Sequence, residues 1–159
     1  MSTPDQINSD SVRRWFPHVT VASIAVKDGK YLIVRENYRG STVLNQPAGH
    51  VEEGETLEQA VIRETLEETG WDFKPSYLTG IYHFVAANGE TYIRFTWFGS
   101  LIGERPEYEL DPAIEGIQWM SKKDLLNGEL TLRNAVVITC ISDFEAGNRL
   151  PANSVQQLT

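Results

Sequence analysis

Cysteine is nearly absent from the 159 residues, Cys140 being the only one. A lone thiol cannot close an internal disulfide, so the fold must be held by its core, and the chain is expected in a reducing compartment, the cytoplasm. Long apolar runs are missing as well. None approaches the ~18 residues that a membrane span requires. No N-terminal stretch joins a basic segment to the apolar run of a secretory signal. Cationic residues are few, 14 Lys and Arg against 22 Asp and Glu, for a formal charge of -8. Polymeric nucleic acid and anionic membranes are gripped mainly by basic side chains, so both are disfavoured as partners. A phosphate-bearing ligand would therefore arrive with metal ions.

What is present reads as one domain, 1–159, with an ordered core of about 12–151, since domains of roughly 100 to 150 residues are commonest. Met1 to Ser11 and Ala152 to Thr159 are polar and aperiodic and are expected as loose ends. His18 to Val26 reads as a buried strand that turns at Asp28-Gly29 into a second, Tyr31 to Val34. Asn88-Gly89 closes another hairpin, between Tyr77 to Val85 and Thr91 to Ile102. A helix starts at Thr56, where Thr56 and Gln59 form a capping box, and stops at Gly70. After a short strand at Ile117 to Met120, Ser121 and Asp124 repeat that box for a short helix ended by Asn127-Gly128. The last helix is expected from Leu132 to Ala146, because Val137, Cys140, Ile141 and Phe144 fall at helical spacing before Gly147. Hairpins enclosed by helices imply an α/β layered domain, a mixed sheet sandwiched between helices.

The segment Gly49 to Trp71, GHVEEGETLEQAVIRETLEETGW, holds seven glutamates in 23 residues. Glu64, Glu67 and Glu68 stand at i, i+3 and i+4, so their carboxylates share one helix face. Like charges at that spacing repel, and a hard cation such as Mg²⁺ or Mn²⁺, which favours carboxylate and phosphate oxygens, would relieve them. A solvated acidic face is the alternative for any such trio taken alone. Three histidines, His18, His50 and His83, are too scattered in sequence for a zinc site. Cys140 falls on the apolar face of a helix and reads as packing.

The same segment resembles the Nudix box: Gly49, Glu55, Arg63-Glu64, Glu67-Glu68 and Gly70 fill its seven fixed positions at the right spacing, and Trp71 fills the final apolar slot. Thr65 is the departure, standing where an aliphatic residue is usual; its position is one that packs, so Thr65→Val should be tolerated. VTVASIAV, NQPAGH and Leu132-Arg133 are similar to a bacterial phosphatase subgroup acting on nucleoside tri- and diphosphates and a thiamine-pyrimidine pyrophosphate, although Asn134-Ala135 replaces the Ser-Pro expected there.

The resemblance implies an α/β/α Nudix sandwich and a Mg²⁺- or Mn²⁺-dependent hydrolase cutting a small-molecule phosphoanhydride, as monomer or homodimer. It implies metal ligation by Glu64, Glu68 and the Gly49 carbonyl, with Glu67 as ligand or water-positioning group. Arg63 would fix Glu67, and Glu55 would brace Arg63. The general base varies among relatives; Glu115 is a candidate additional carboxylate, with Asp111 or Glu53 in reserve. His50, beside Gly49, and Arg94, mid-strand, are candidate substrate contacts. Two other readings remain open: a pyrophosphohydrolase of a sugar or dinucleotide derivative, and a catalytically silent binding domain of the same fold. A calcium module is not expected, because the alternating oxygen ligands of an EF-hand loop are missing.

Overall fold

The computed structural model describes residues 15–158. Met1 to Ser11 and Thr159 lie outside the described residues. The elements run β1 His18–Ile24, β2 Val26–Lys27, β3 Lys30–Tyr38, β4 Ser41–Asn45, β5 Ala48–His50, α1 Leu57–Thr69, β6 Trp71–Val85, β7 Thr91–Glu104, β8 Ile114–Met120, α2 Lys122–Asn127, β9 Thr131–Leu132 and α3 Val136–Glu145.

Hydrogen bonding divides the strands into two sheets. One has the order β5-β1-β7-β6, with β1 parallel to β7; the other runs β2-β3-β4-β9, with β8 on the far side of β3. Both are mixed, since β4 and β9 also pair in parallel. Strands β1, β3 and β7 feed two cores by alternation. Val21, Leu32 and Trp97 meet Ala60 and Val61 of α1, whereas Ile24, Tyr31 and Ile33 meet Val137, Cys140 and Ile141 of α3. A strand covered on both faces needs apolar residues at successive positions, which is why VTVASIAV shows no polar alternation.

The expected caps form. Thr56 and Gln59 bond reciprocally at the start of α1, Gly70 ends it at φ 72, and Ser121 and Asp124 do the same for α2. Asp28 and Gly29 both take positive φ in the β2–β3 turn, and Gly89 does in the β6–β7 turn.

Three expectations need correction. The last helix starts at Val136, not Leu132: Thr131 and Leu132 pair with Val43 and Leu44, and Arg133 donates its N–H to the Leu44 carbonyl at 2.8 Å. The helical period begins only at Val137, and the residues before it find strand partners. The first strand stops at Ile24, with Ala25 separating it from β2. Sequence reading also passed over β4, which forms a local hairpin with β3 across Arg39-Gly40, both at positive φ, and β5, which is defined by the remote strand β1. Finally, the stretch from Ala152 is not wholly loose, since Ser154 donates to the Pro151 carbonyl at 2.9 Å and Val155 packs on the α1-side core. No helix among the described residues is long and apolar enough to cross a membrane.

Candidate active site

Helix α1 presents its acidic face to strand β5. Arg63 stands at the centre, with its Nε and Nη2 gripping the two oxygens of Glu55 at 3.0 and 2.6 Å. Nη2 also donates to the His50 carbonyl at 2.9 Å, while Nη1 donates to Glu64 at 2.8 Å and Glu67 at 3.1 Å. A planar fork that meets carboxylates on two edges has little freedom left, so Arg63 fixes the rotamers around it. The hydrogen bonds from Arg63 hold the Glu55 carboxyl below the usual carboxylate range, and Glu55 in turn keeps the guanidinium firmly protonated. Glu55 also closes its own loop, accepting the Glu52 N–H at 2.7 Å.

Glu68 is placed differently. It is 8% exposed, and its carboxylate accepts from the Ala48 N–H at 2.9 Å. No cation reaches it among the described residues. Burial therefore pushes its acid up to about 9, with Glu64, Glu36 and Asp111 adding to the rise. Burial raises Glu64 too, against the pull of Arg63. Gly49 faces this pair, and a Cβ at that position would overlap the Glu64 carboxyl group. Glycine is thus required by close approach of loop and carboxylate, as expected of a site where both offer oxygens.

Among the described residues, no three acidic, histidine or cysteine side chains are already gathered as an ion cage. Arg63 accounts for this by drawing Glu64 and Glu67 onto its own Nη1. The donor set nonetheless fits a hard divalent cation. Two carboxylates whose pKa values are raised by burial, the buried Glu68 without any positive partner among the described residues and the half-buried Glu64, lie beside the Gly49 backbone, and Mg²⁺ commonly takes a few carboxylates and completes its shell with water.

Glu115 does not join this group. The β3–β8 register shifts between Arg35 and Glu36, pairing Arg35 with Gly116 and Glu36 with Ile114, so Glu115 is the extra residue of a bulge. Its carboxylate accepts from Thr42 at 2.8 Å and Asn37 at 3.5 Å and sits 3.9 Å from Arg35. Asp111 lies nearer the helix, its N–H bonded to the Glu67 carbonyl at 2.8 Å. Glu53 is exposed.

Both candidate substrate contacts line one cavity of ≈170 Å³ that reaches Gly49. His50 is not isolated from His18, as the sequence spacing suggested: their ring nitrogens are 3.0 Å apart, and His18 stacks on Tyr92 at 4.8 Å. Burial, then His18, lowers the His50 basicity. Arg94 is 5% exposed, and its Nε and Nη1 have no partner. Burial lowers its basicity, and its guanidinium lies over the Phe84 ring at 5.7 Å. Sequence reading passed over Glu36, a buried carboxylate in the same cavity that accepts from Asn45 at 3.4 Å and Arg133 at 3.3 Å. Arg133 in turn lies 3.3 Å over the Tyr38 ring. Nothing local marks Glu36, because its partners lie on β4 and beyond β9. His83 is exposed, and Cys140 is buried with its sulfur 3.3 Å from the Thr96 hydroxyl.

Comparison with known proteins identifies the family. The profile of the NUDIX domain matches residues 16–139. Phosphatase NudJ of Escherichia coli K12 is 34% identical over 139 residues, 87% of this chain and 90% of that one. A NUDIX hydrolase from Nitrosomonas europaea is 45% identical and superposes with a TM-score of 0.86 over 90% of this chain and 98% of that chain. A MutT protein from Methanosarcina mazei Go1, at 23% identity and TM-score 0.67 over 84% of this chain and 97% of that one, shares the fold. The chain belongs to the Nudix family and is a hydrolase of phosphoanhydride bonds.

Proposed function

We propose that this Nudix hydrolase is a cytoplasmic, Mg²⁺- or Mn²⁺-dependent, phosphatase-like enzyme acting on nucleoside di- and triphosphates or similarly compact pyrophosphates. The observation that carries the reading is the pairing of the uncompensated, buried Glu68 carboxyl with Glu64 against Gly49. Glu64, Glu67, Glu68 and the Gly49 carbonyl would hold the metal. Bound there, it supplies charge neutralisation at the phosphate oxygens and a more acidic water.

The chain's own groups do the rest. Arg63, anchored by Glu55, holds Glu64 and Glu67 in register with the β5 loop. Glu67, 38% exposed, is the carboxylate open enough to accept a proton from an attacking water. The cavity beside Gly49 receives the organic group, and its ≈170 Å³ favours one compact ring over a second nucleotide. The likeness to Phosphatase NudJ supports release of inorganic phosphate.

A panel of nucleoside di- and triphosphates, dinucleoside polyphosphates and sugar diphosphates, assayed with Mg²⁺ for released phosphate, tests this. Hydrolysis in ¹⁸O-water should label free phosphate. Label only in the organic monophosphate, with pyrophosphate as co-product, would replace the phosphatase-like reading by that of a general pyrophosphohydrolase.

A further inference from the structure

The floor of the cavity beside Gly49 carries polar capacity that nothing in the described residues uses. Arg94 makes no hydrogen bond or ion pair there, and two of its nitrogens are sealed from solvent without a partner. Thr20, opposite Arg94 in the parallel β1–β7 register, also has an unpartnered buried hydroxyl. Across the same cavity, Glu36 takes both its hydrogen bonds, from Asn45 and Arg133, on Oε1, leaving Oε2 with no donor. Glu36 and Arg94 are of opposite charge, are both buried, and line one cavity, yet they do not form an ion pair with each other. Unspent buried donors and acceptors are costly, and native proteins rarely keep them without a use. Among the described residues, Glu36 Oε2 and Arg94 Nη2 carry no hydrogen bond and are not among the sealed atoms, so they are the open acceptor and donor that a ligand edge offering a donor beside an acceptor would meet.

The walls specify the rest of that ligand. Tyr38, Phe84 and Tyr92 line the cavity, with Phe84 and Tyr92 stacked at 5.4 Å. Aromatic walls around a mixed polar floor suit a flat heteroaromatic ring better than a second phosphate. Arg133 is paired with Glu36 and leaves Arg94 as the one unpaired arginine of the lining among the described residues, and a phosphate would make no use of the stacking surface.

We propose that Glu36 and Arg94, with Thr20, determine specificity by reading the donor–acceptor edge of a nucleobase-like ring in the leaving group. The inference rests on the hydrolase reading above and names the group this cavity selects. Arg133, held over Tyr38 and bonded to Glu36, positions the carboxylate.

The test compares nucleoside triphosphates with inorganic tripolyphosphate, which offers the same anhydride and no ring. Wild type should favour the best nucleoside triphosphate by at least ~10²-fold in kcat/KM, because a site built to hydrogen-bond a group rejects an analogue lacking it. Glu36→Gln should shrink that ratio at least ~10-fold, the change appearing in KM, since an acceptor becomes a donor at unchanged size. Calorimetry with the free nucleoside and metal-free protein gives a second readout, binding by wild type and its loss in Glu36→Gln. Equal rates on both substrates, or an equal fall on both in Glu36→Gln, would overturn the assignment while leaving the hydrolase intact. Hydrolysis of neither substrate would refute the hydrolase reading, and nucleoside binding would then still decide whether the cavity reads a ring.

Discussion

Thr65 stands where the Nudix pattern has an aliphatic residue, and the structure supplies its reason. The side chain is fully buried, with its hydroxyl 2.7 Å from the Val61 carbonyl and 2.9 Å from the Ser23 hydroxyl on β1. Ser23, 1% exposed, has no other side-chain partner among the described residues. Thr65→Val keeps the shape and β-branching but strands the Ser23 hydroxyl between α1 and β1. A buried hydroxyl left unsatisfied costs about 1 to 3 kcal/mol. Taking about 2 kcal/mol, a chain of this length should lose roughly 4 to 8 °C of Tm. Ser23→Ala should cost less, since Thr65 keeps the Val61 carbonyl. With both groups replaced, Ser23→Ala/Thr65→Val leaves no stranded polar atom, so stability should recover by at least ~1 kcal/mol relative to the sum of the single changes. Urea unfolding of the four proteins measures the coupling, and kcat/KM with Mg²⁺ should stay within about threefold throughout, because Thr65 touches no carboxylate of the site. Additive costs, or a large loss of activity in Thr65→Val, would refute the account.

Glu55→Gln should lower kcat about 10- to 100-fold with the fold retained, because it removes the charge that fixes Arg63 while leaving the carboxylates of α1 in place; steady-state kinetics beside a melting curve would check this, and an unchanged rate would show that Arg63 needs no brace. The same residue predicts an acid limb. Its pKa is lowered in the folded state, so its stabilisation is present above the ordinary carboxylate range and is lost as pH falls through the folded value. Wild type should therefore lose stability over that window more steeply than Glu55→Gln in urea titrations; parallel curves would contradict it. Glu115→Gln should leave kcat within about threefold, since its partners are Thr42, Asn37 and Arg35. A loss near 10²-fold in a phosphate-release assay would return Glu115 to the site.

Local rules made the box helix readable before any coordinates. Its caps, its acidic face and Gly70 at its C-terminal end depend on residues within four positions of each other, whereas Gly49 owes its place to the approach of Glu64. The same locality explains what could not be read. The bulge at Glu115 and the contacts of its carboxylate with Thr42, Asn37 and Arg35 depend on the meeting of β8, β3 and β4, which no local rule shows. β9 and the late start of α3 depend on β4, remote in sequence. Glu36 looks like any charged strand residue until Arg133, 97 positions away, is placed against it. The pairing of His18 with His50 likewise waits on β1 meeting β5, 32 positions apart. Thr65 read as a tolerated departure because its partner, Ser23, lies on another element.

The central claim is that buried carboxylates on α1 act through a divalent metal, and Glu68→Gln tests it most directly. The change removes an ionisable oxygen at constant size from a side chain whose hydrogen-bond donor among the described residues is the Ala48 N–H. Phosphate release from the preferred triphosphate should be abolished by EDTA, restored by Mg²⁺ or Mn²⁺, and reduced at least ~10²-fold in kcat in Glu68→Gln with its circular dichroism unchanged. Full activity in chelator, or a near-wild-type rate in Glu68→Gln, would contradict it.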